Sequence, residues 1–306
     1  MANMQVKLGQ ATIRNPVVLA AGTCGVIGEI GDAINLSKIG AITTKSITRD
    51  SRIGNEPERI SPLPNGMINA IGLANEGIDS FMTHQAQKVA SIDTAVIGSI
   101  AGDSIEGFVE VAVKMDKVDG IQLVEVNVSC PNTEDGLEFG SCPRRLRDLL
   151  TEIRPALSQS GMIVKLSVAP GDIRPHAEVA IDCGADALTL INTIPSLAIN
   201  VESRKPQISR EIGGVSGAMI HPVAVRVVHE IYRDVAKDSG TPIVGTGGVM
   251  NWKDAAEFIL AGATAVGIGT ASFVNPAIST NVVKKLASWV NRQGCTSVTE
   301  LVGAMS

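Results

Sequence analysis

The sequence predicts an α/β fold of the (β/α)8 TIM-barrel class, with an amino-terminal hairpin and loop insertions at the carboxyl-terminal face. Strand-like and helix-like segments alternate along the chain until eight of each have been counted. Hydrophobic residues make up 44% of the chain but aromatic residues only 3%, and an aliphatic core suits buried parallel strands covered by helices. The 306 residues exceed the roughly 250 of a typical barrel, and the excess lies in segments between the predicted elements.

The predicted strands are short apolar runs bounded by turn residues. A hairpin at 5–14 precedes them and is expected to plug one end of the fold. The strands are predicted at 16–20, 41–45, 94–100, 120–128, 162–166, 187–191, 242–244 and 265–268. Helices are predicted at 29–38, 76–90, 104–116, 143–158, 173–183, 221–236, 252–261 and 273–291. Two excursions at 47–66 and 194–216 are predicted to be irregular.

No linker-like shift in composition divides the chain, so we predict one domain over residues 1–306. The rival fold, a doubly wound open sheet, would need a glycine-rich fingerprint after the first strand. The segment AAGTCGVIG at 20–28 is a poor match to that fingerprint, and Cys24 lies inside it.

Charge and cysteine usage narrow the classes of function. A net charge of −5 argues against nucleic-acid binding, which usually shows a basic domain. The five cysteines form no CxxC pair and no cluster with zinc spacing, so we predict reduced thiols and no metal site. The first residues do not resemble a signal peptide, and no apolar run approaches the ~18 residues of a membrane span. These features predict a cytoplasmic protein.

The stretch 124–142, VEVNVSCPNTEDGLEFGSC, organises the predicted site. Valines alternate with Glu125 and Asn127, a period of two that indicates a strand, and Pro131 ends it. Cys130 therefore follows the end of a buried strand, beneath a loop long enough to act as a lid. Most free cysteines are simply small buried hydrophobic residues. The chain offers no Ser-His-Asp set, and we interpret His84, His176, His221 and His229 as ordinary surface or packing residues. Cys130 is then the best candidate base.

Further polar groups follow the other predicted strands, and in barrels of this class active sites form at the carboxyl ends of strands. Glycines at 245–248 and 267–269 could cradle a phosphate, or could simply make tight turns. Lys45 and Lys165 end two strands; they could face one cavity, where burial would require an anionic ligand, or extend outward into solvent. A phosphate-tethered ring that becomes anionic on reduction would satisfy both lysines, and flavin mononucleotide (FMN) is such a molecule.

Nine segments, in the right order over essentially the whole chain, resemble the dihydroorotate dehydrogenase family. They are TTKS (43–46), GNEPERI (54–60), GMINAIGLAN (66–75), NVSCPN (127–132), IVKLS (163–167), INT (191–193), GGVSG (213–217), GTGG (245–248) and GIGTASFVNP (267–276). The cysteine in NVSCPN resembles class 1 of the family; class 2 uses serine and has an amino-terminal extension. NAIGLAN and the arginine-rich excursion look most like the catalytic subunit of the NAD-dependent B subgroup.

The resemblance implies FMN-dependent oxidation of (S)-dihydroorotate to orotate in pyrimidine (UMP) biosynthesis. It implies catalytic roles for Cys130, as general base, and for Lys45. The implied substrate-binding residues are Lys45, Asn69, Ala70, Ile71, Gly72, Leu73, Asn127, Asn132, Asn192 and Thr193. The implied FMN-binding residues are Ala21, Lys45, Ser46, Ser99, Asn127, Lys165, Ile191, Gly217, Gly247, Gly248, Gly269 and Thr270.

The B subgroup further implies a homodimer within a heterotetramer, whose second subunit carries FAD and a [2Fe–2S] cluster and passes electrons to NAD⁺. Three alternatives stay open: a related uracil or thymine dehydrogenase, a fumarate-reducing class 1 homodimer, and a barrel aldolase with Lys165 as Schiff-base nucleophile. Ser99 stands where the family commonly has asparagine, His221 where it has lysine, and Thr193 to Ser196 replace a more usual Thr-Leu-Leu-Gly. These departures concern the rim of the pocket.

Overall fold

Eight parallel strands close into a barrel, so the predicted fold is confirmed. The structure, a computed structural model, describes residues 2–129 and 138–306. Each strand pairs with its neighbours in chain order, and the last pairs with the first. The strands are β1 (Val17–Leu19), β2 (Ala41–Thr43), β3 (Ala95–Ile100), β4 (Ile121–Asn127), β5 (Gly161–Leu166), β6 (Ala187–Leu190), β7 (Ile243–Thr246) and β8 (Ala265–Ile268).

Helices surround the barrel, and the longer ones bury an apolar face against it. Their bounds are Ile78–His84, Ala86–Val89, Ile105–Met115, Pro143–Ile153, Arg174–Asp182, His221–Ile231, Lys237–Ser239, Trp252–Ala261, Ala271–Val274 and Ile278–Arg292, with one π-helical segment at Tyr232–Ala236. Pro143 occupies the first turn of its helix, where its missing N–H costs nothing. Between β1 and β2, by contrast, the helix predicted at 29–38 was wrong.

That segment forms two short 3₁₀ turns, Glu29–Asp32 and Leu36–Lys38. The side chain of Asn35 accepts a hydrogen bond from Ser37 N and caps the start of the second turn. Neither turn buries a residue, so no apolar face favours a continuous helix here.

The two excursions are ordered, which corrects the prediction that they are irregular. Strand Ile60–Leu63 of the first excursion pairs with Gly66–Asn69, which begins at the last residue of that excursion. Gly66–Asn69 pairs in turn with Gly213–Ser216 of the second excursion, and Gly213–Ser216 pairs with Ile194–Ser196, so the four strands form one antiparallel sheet. A further small hairpin joins Ile199–Asn200 to Lys205–Pro206. The large sheet has a small apolar core of its own, made of Ile68, Ile208, Val215 and Ile220. Pairing between segments so far apart in the chain leaves no local periodicity to predict it.

The predicted amino-terminal hairpin is confirmed as Val6–Leu8 paired with Ala11–Ile13. Gln10 at its turn donates hydrogen bonds to the carbonyl oxygens of Gln122 and Gln159, near the starts of β4 and β5. The hairpin thus covers the amino ends of the strands and leaves the carboxyl ends as the open face. Among the described residues no helix is long and apolar enough to cross a membrane. The assignment of residues 1–306 to one domain stays a prediction.

Candidate functional site

A cavity of about 740 Å³ opens at the carboxyl ends of the barrel strands. Its floor comes from residues at or just beyond the strand ends, and one wall comes from the four-stranded sheet. The floor residues are Ala20, Lys45, Asn127, Lys165, Ile191, Thr246 and Gly269, and the wall includes Met67, Asn69, Gly213, Gly214 and Ser216. The volume lies within the range of about 300–1,000 Å³ typical of small-molecule sites.

The structure brings nearly all of the predicted site residues together in this one cavity. The described residues that line it are Ala21, Lys45, Ser46, Asn69, Ala70, Ile71, Gly72, Leu73, Asn127, Lys165, Ile191, Asn192, Thr193, Gly217, Gly247, Gly248, Gly269 and Thr270. Ser99 does not line it; it is fully buried behind Ser46, with the two hydroxyl oxygens 2.9 Å apart. Cys130 and Asn132 lie outside the described residues, while Ser129 and Glu138 on either side of the gap both line the cavity.

Both strand-end lysines face the cavity, so the alternative that they extend outward is wrong. Burial lowers the pKa of Lys45, and the positive charge of Lys165 lowers it further. Lys165 is 7% exposed, and its Nζ lies 3.8 Å from Oε1 of the buried Glu125. The floor therefore concentrates positive charge where an anionic group of a ligand could be bound.

Side-chain amides form a connected polar surface beside the lysines. Asn192 donates through Nδ2 to Asn127 Oδ1 at 3.2 Å and to Ser129 Oγ at 3.1 Å. Its own Oδ1 accepts from the backbone N–H of Thr193 at 2.8 Å. On the opposite wall, Asn69 donates to Gly214 O at 3.0 Å. These bonds fix the orientations of the amides, and the groups left over can match donors and acceptors on a planar polar ligand.

The glycines after β7 form a close-fitting backbone turn at one end of the cavity. Gly247 and Gly248 have φ of 145° and 67°, which L side chains rarely adopt. A Cβ at Gly248 would lie 2.8 Å from Gly217 O, so the backbone segments touch directly. Helix His221–Ile231 begins beside this turn, and the short helix Ala271–Val274 begins just after Thr270. Such an arrangement after strands 7 and 8 is a known phosphate-binding geometry of barrels.

One feature of the site was missed by sequence reasoning. Glu125, read only as a member of the polar face of its strand, is a buried partner of Lys165, a relation between strands that no local pattern contains. His221, predicted to be a surface or packing residue, is buried, and its Nδ1 lies 2.9 Å from Gly247 O, so it packs against the glycine turn.

The rim adds charged and apolar groups that the prediction also omitted. Arg52 and Arg210 line the cavity, and Arg52 forms an ion pair with Asp103. Burial raises the pKa of the Glu138 carboxyl. Ile212 and Phe273 line the mouth while remaining more than half exposed.

A closed parallel barrel with paired lysines, converging amides and a glycine turn at its carboxyl face is the arrangement of a barrel enzyme whose loops after strands 7 and 8 are suited to a phosphate-bearing ligand. Residues 3–290 match the sequence model of the Dihydroorotate dehydrogenase family, and the chain belongs to that family. The predicted family is thereby confirmed.

Similar proteins carry the name "Dihydroorotate dehydrogenase B (NAD(+)), catalytic subunit". The chain is 40% identical over 306 residues to the one from Bacteroides fragilis, covering 100% of this chain and 99% of the relative. It is 40% identical over 304 residues to the one from Thermoanaerobacter sp., with 99% of each covered. It is likewise 40% identical over 305 residues to the one from Caldicellulosiruptor bescii, again with 99% of each covered. These similarities confirm the predicted resemblance to the B subgroup.

Proposed function

We propose that the protein oxidises (S)-dihydroorotate to orotate in pyrimidine biosynthesis, with FMN as its bound cofactor. One observation carries the proposal beyond family membership: apart from Ser99, the family-implied residues that the structure describes all line one cavity. They come from the carboxyl ends of seven of the eight strands or from the loops that follow them, so their convergence is a property of the folded chain and not of any one motif.

The residues present fit FMN. The glycine turn at Gly247 and Gly248 leaves no room for a Cβ and offers backbone N–H groups to a phosphate. Thr246 Oγ1 is buried without a hydrogen-bond partner among the described residues, as expected of a group that a ligand satisfies. Lys45 and Lys165 would lie near the ring, where negative charge develops on reduction. FMN, when bound, accepts a hydride from the substrate carbon.

The amides suit a cyclic imide with a carboxylate. Asn127 and Asn192 are fixed to each other on the floor, and Asn69 is fixed on the wall, so each presents its remaining polar atoms in one orientation. A site built to pair every polar edge of its ligand strongly rejects molecules that lack one. Lys45 would pair with the negative charge of the substrate and, in part, with that of the reduced ring.

Cys130 is the proposed general base, which removes a proton from the ring carbon of dihydroorotate. Ser129, its neighbour in the chain, lines the cavity beside Asn127 and Asn192. A thiol must be close to its thiolate form to take a proton at neutral pH. Two ammonium groups on the floor would favour that form.

The aldolase alternative, with Lys165 as Schiff-base nucleophile, predicts a colourless protein that borohydride traps together with its substrate. The alternative of a uracil or thymine dehydrogenase predicts turnover of dihydrouracil, and the fumarate-reducing alternative predicts activity without a second subunit.

We further propose that the chain forms a homodimer that assembles with an electron-transfer subunit carrying FAD and a [2Fe–2S] cluster, with NAD⁺ as acceptor. The relatives named as B-type catalytic subunits support a partner subunit. Co-expression with the candidate subunit gene and co-purification test this proposal; fumarate-linked turnover by the chain alone contradicts it.

Anaerobic mixing of the purified protein with dihydroorotate tests the proposed function. We expect a flavin absorption spectrum that bleaches with dihydroorotate and does so at least a hundredfold more slowly with dihydrouracil. A colourless protein that cannot be reconstituted with FMN, or a flavin bleached only by dihydrouracil, contradicts the proposal.

A further inference from the structure

Glu125 is a buried carboxylate at the floor of the cavity that none of the roles above uses. It is 4% exposed and lies on β4, two residues before Asn127. Its contacts with Thr189 on β6 and Lys165 on β5 place its side chain inside the barrel, in register with Ser99 on β3. A charged group in that position requires a partner.

Two contacts hold this carboxylate. Thr189 on β6 donates its hydroxyl to Oε2 at 2.9 Å. The other oxygen, Oε1, lies 3.8 Å from Lys165 Nζ and has no hydrogen-bond partner among the described residues. The hydrogen bond thus fixes one oxygen of the carboxylate. The second oxygen faces the ammonium group of Lys165 without a hydrogen bond of its own.

The effect of Glu125 on a ligand depends on the other charges at the cavity floor. Lys45 and Lys165 line the cavity, and Glu125 is the buried carboxylate paired with Lys165. Without Glu125 the floor would carry two cations; with it, the charge of Lys165 is partly offset. Electrostatic preorganisation acts through such fixed charges because they cannot reorganise when a ligand changes its charge.

We propose that Glu125 is a positioning residue, whose carboxylate, fixed by Thr189, aims the Lys165 ammonium at the ring and offsets its charge, so that the reduced anionic ring is stabilised less than two free lysines would allow. This proposal rests on the proposed function, because it takes the ring to be that of FMN. Glu125 thereby sets how readily the bound flavin gives up the electrons it has received.

The test compares the affinities of the apoprotein for oxidised and reduced FMN, measured at pH 6, well below the ordinary lysine pKa of about 10.4. Glu125→Gln keeps the shape of the side chain and an oxygen for Thr189 but removes the charge. We expect the ratio of the dissociation constants, oxidised over reduced, to rise about tenfold, which for a two-electron couple is a potential about 30 mV higher. Glu125→Asp keeps the charge but draws it away from Lys165, and we expect a rise of two- to threefold.

Asp116→Asn is the matched control. Asp116 is also a buried carboxylate of the barrel, but it bonds to 158–160 at the opposite end of the strands. It should lower stability and leave the ratio unchanged. A ratio that stays within twofold of wild type in Glu125→Gln, or one that falls, overturns the inference; so does an equal rise in Asp116→Asn. If the wild-type protein binds no FMN, the proposed function fails first, and the two failures are thereby distinguished.

Discussion

Cys24 is an example of a buried, unreactive cysteine in this protein. Its thiol is buried and donates a hydrogen bond to Thr43 O at 3.4 Å. Burial raises the pKa of Cys24 to about 12, and the negative charge of Glu29 contributes in the same direction. Such a thiol is inert at neutral pH. The proposed base, Cys130, would need the opposite property, a thiol that is readily deprotonated at neutral pH.

Replacing Cys130 with alanine should slow reduction of the bound flavin by roughly 10²–10⁴-fold, the usual weight of a general base. The flavin should stay bound, because the proposed cofactor contacts do not include this side chain. Stopped-flow absorbance under anaerobic conditions measures the rate. Cys295→Ala, which alters a half-buried cysteine near the carboxyl terminus, serves as the control. An unchanged rate in the Cys130 variant would remove this residue from the mechanism.

Lys45 should lower the free energy of unfolding of the apoprotein, because burial and the neighbouring Lys165 both lower the pKa of this residue. We expect Lys45→Met to raise the free energy of unfolding of the apoprotein by about 0.5–2 kcal/mol, while abolishing binding of orotate. Urea unfolding at pH 7 and orotate titration provide the two measurements. A less stable variant would contradict the expectation.

The same residue gives a pH dependence with a definite sign. A lysine whose pKa is lowered on folding binds its proton more tightly in the unfolded chain, so stability rises with pH between the lowered pKa and about 10.4. Below both the folded and the unfolded pKa of Lys45, the full destabilisation by the buried ammonium group is present. The wild-type apoprotein should show this rise and Lys45→Met should lack it.

At the scale of elements, the loop after strand Gly66–Asn69 depends on a glycine. Gly72 has φ of 72°, and a Cβ there would lie 2.6 Å from Asn55 N, in the first excursion. We expect Gly72→Ala to displace 70–73 and weaken orotate binding at least tenfold. Gly171 has φ of 87° but open space around its Cβ position. Gly171→Ala therefore controls for backbone strain alone, which costs about 1–2 kcal/mol at positive φ. Equal orotate affinities in the two variants would contradict the contact argument.

Asp116 joins the end of helix Ile105–Met115 to the segment before β5. Burial would raise its pKa, but hydrogen bonds from Ser158, Ser160 and Gln159 outweigh burial and hold the pKa of Asp116 below its usual value. Stability from this group is therefore present above about pH 4 and is lost as the pH falls through the folded pKa. Asp116→Asn should cost about 1–3 kcal/mol at pH 7 and progressively less below pH 4. Urea unfolding at both pH values checks this, and a cost that does not vary with pH would contradict it.

The sequence predicted elements whose determinants are local. Helix Trp252–Ala261 and strand β8 match their predicted bounds, because Asn251 with Asp254 forms a capping box and the strand is a short apolar run. The four-stranded sheet was missed, since Gly66–Asn69 and Gly213–Ser216 are strands only in each other's presence. The site shows the same contrast. Residues at strand ends were predicted, whereas the contact between Glu125 and Lys165 depends on the pairing of β4 with β5.

At the scale of the whole molecule, a bound cofactor should stabilise the fold by mass action. FMN at 100 times its dissociation constant should raise the free energy of unfolding by about 2.7 kcal/mol. Riboflavin has the same ring without the phosphate. If the glycine turn contributes a tenfold gain in affinity, riboflavin at the same concentration should give about 1.4 kcal/mol or less by the same relation. Chemical denaturation with each ligand checks the difference, and equal stabilisation would show that the turn does not bind phosphate.

The sheet over the cavity mouth is assembled from strands that leave the barrel after β2 and after β6, and each supplies hydrogen-bonding edges to the other. Grafting one insertion alone from a relative would leave an unmatched edge beside the ligand. To change the ligand selectivity of this protein, both insertions should therefore be exchanged together. For the same reason, the sequences of the two insertions should change together among natural relatives.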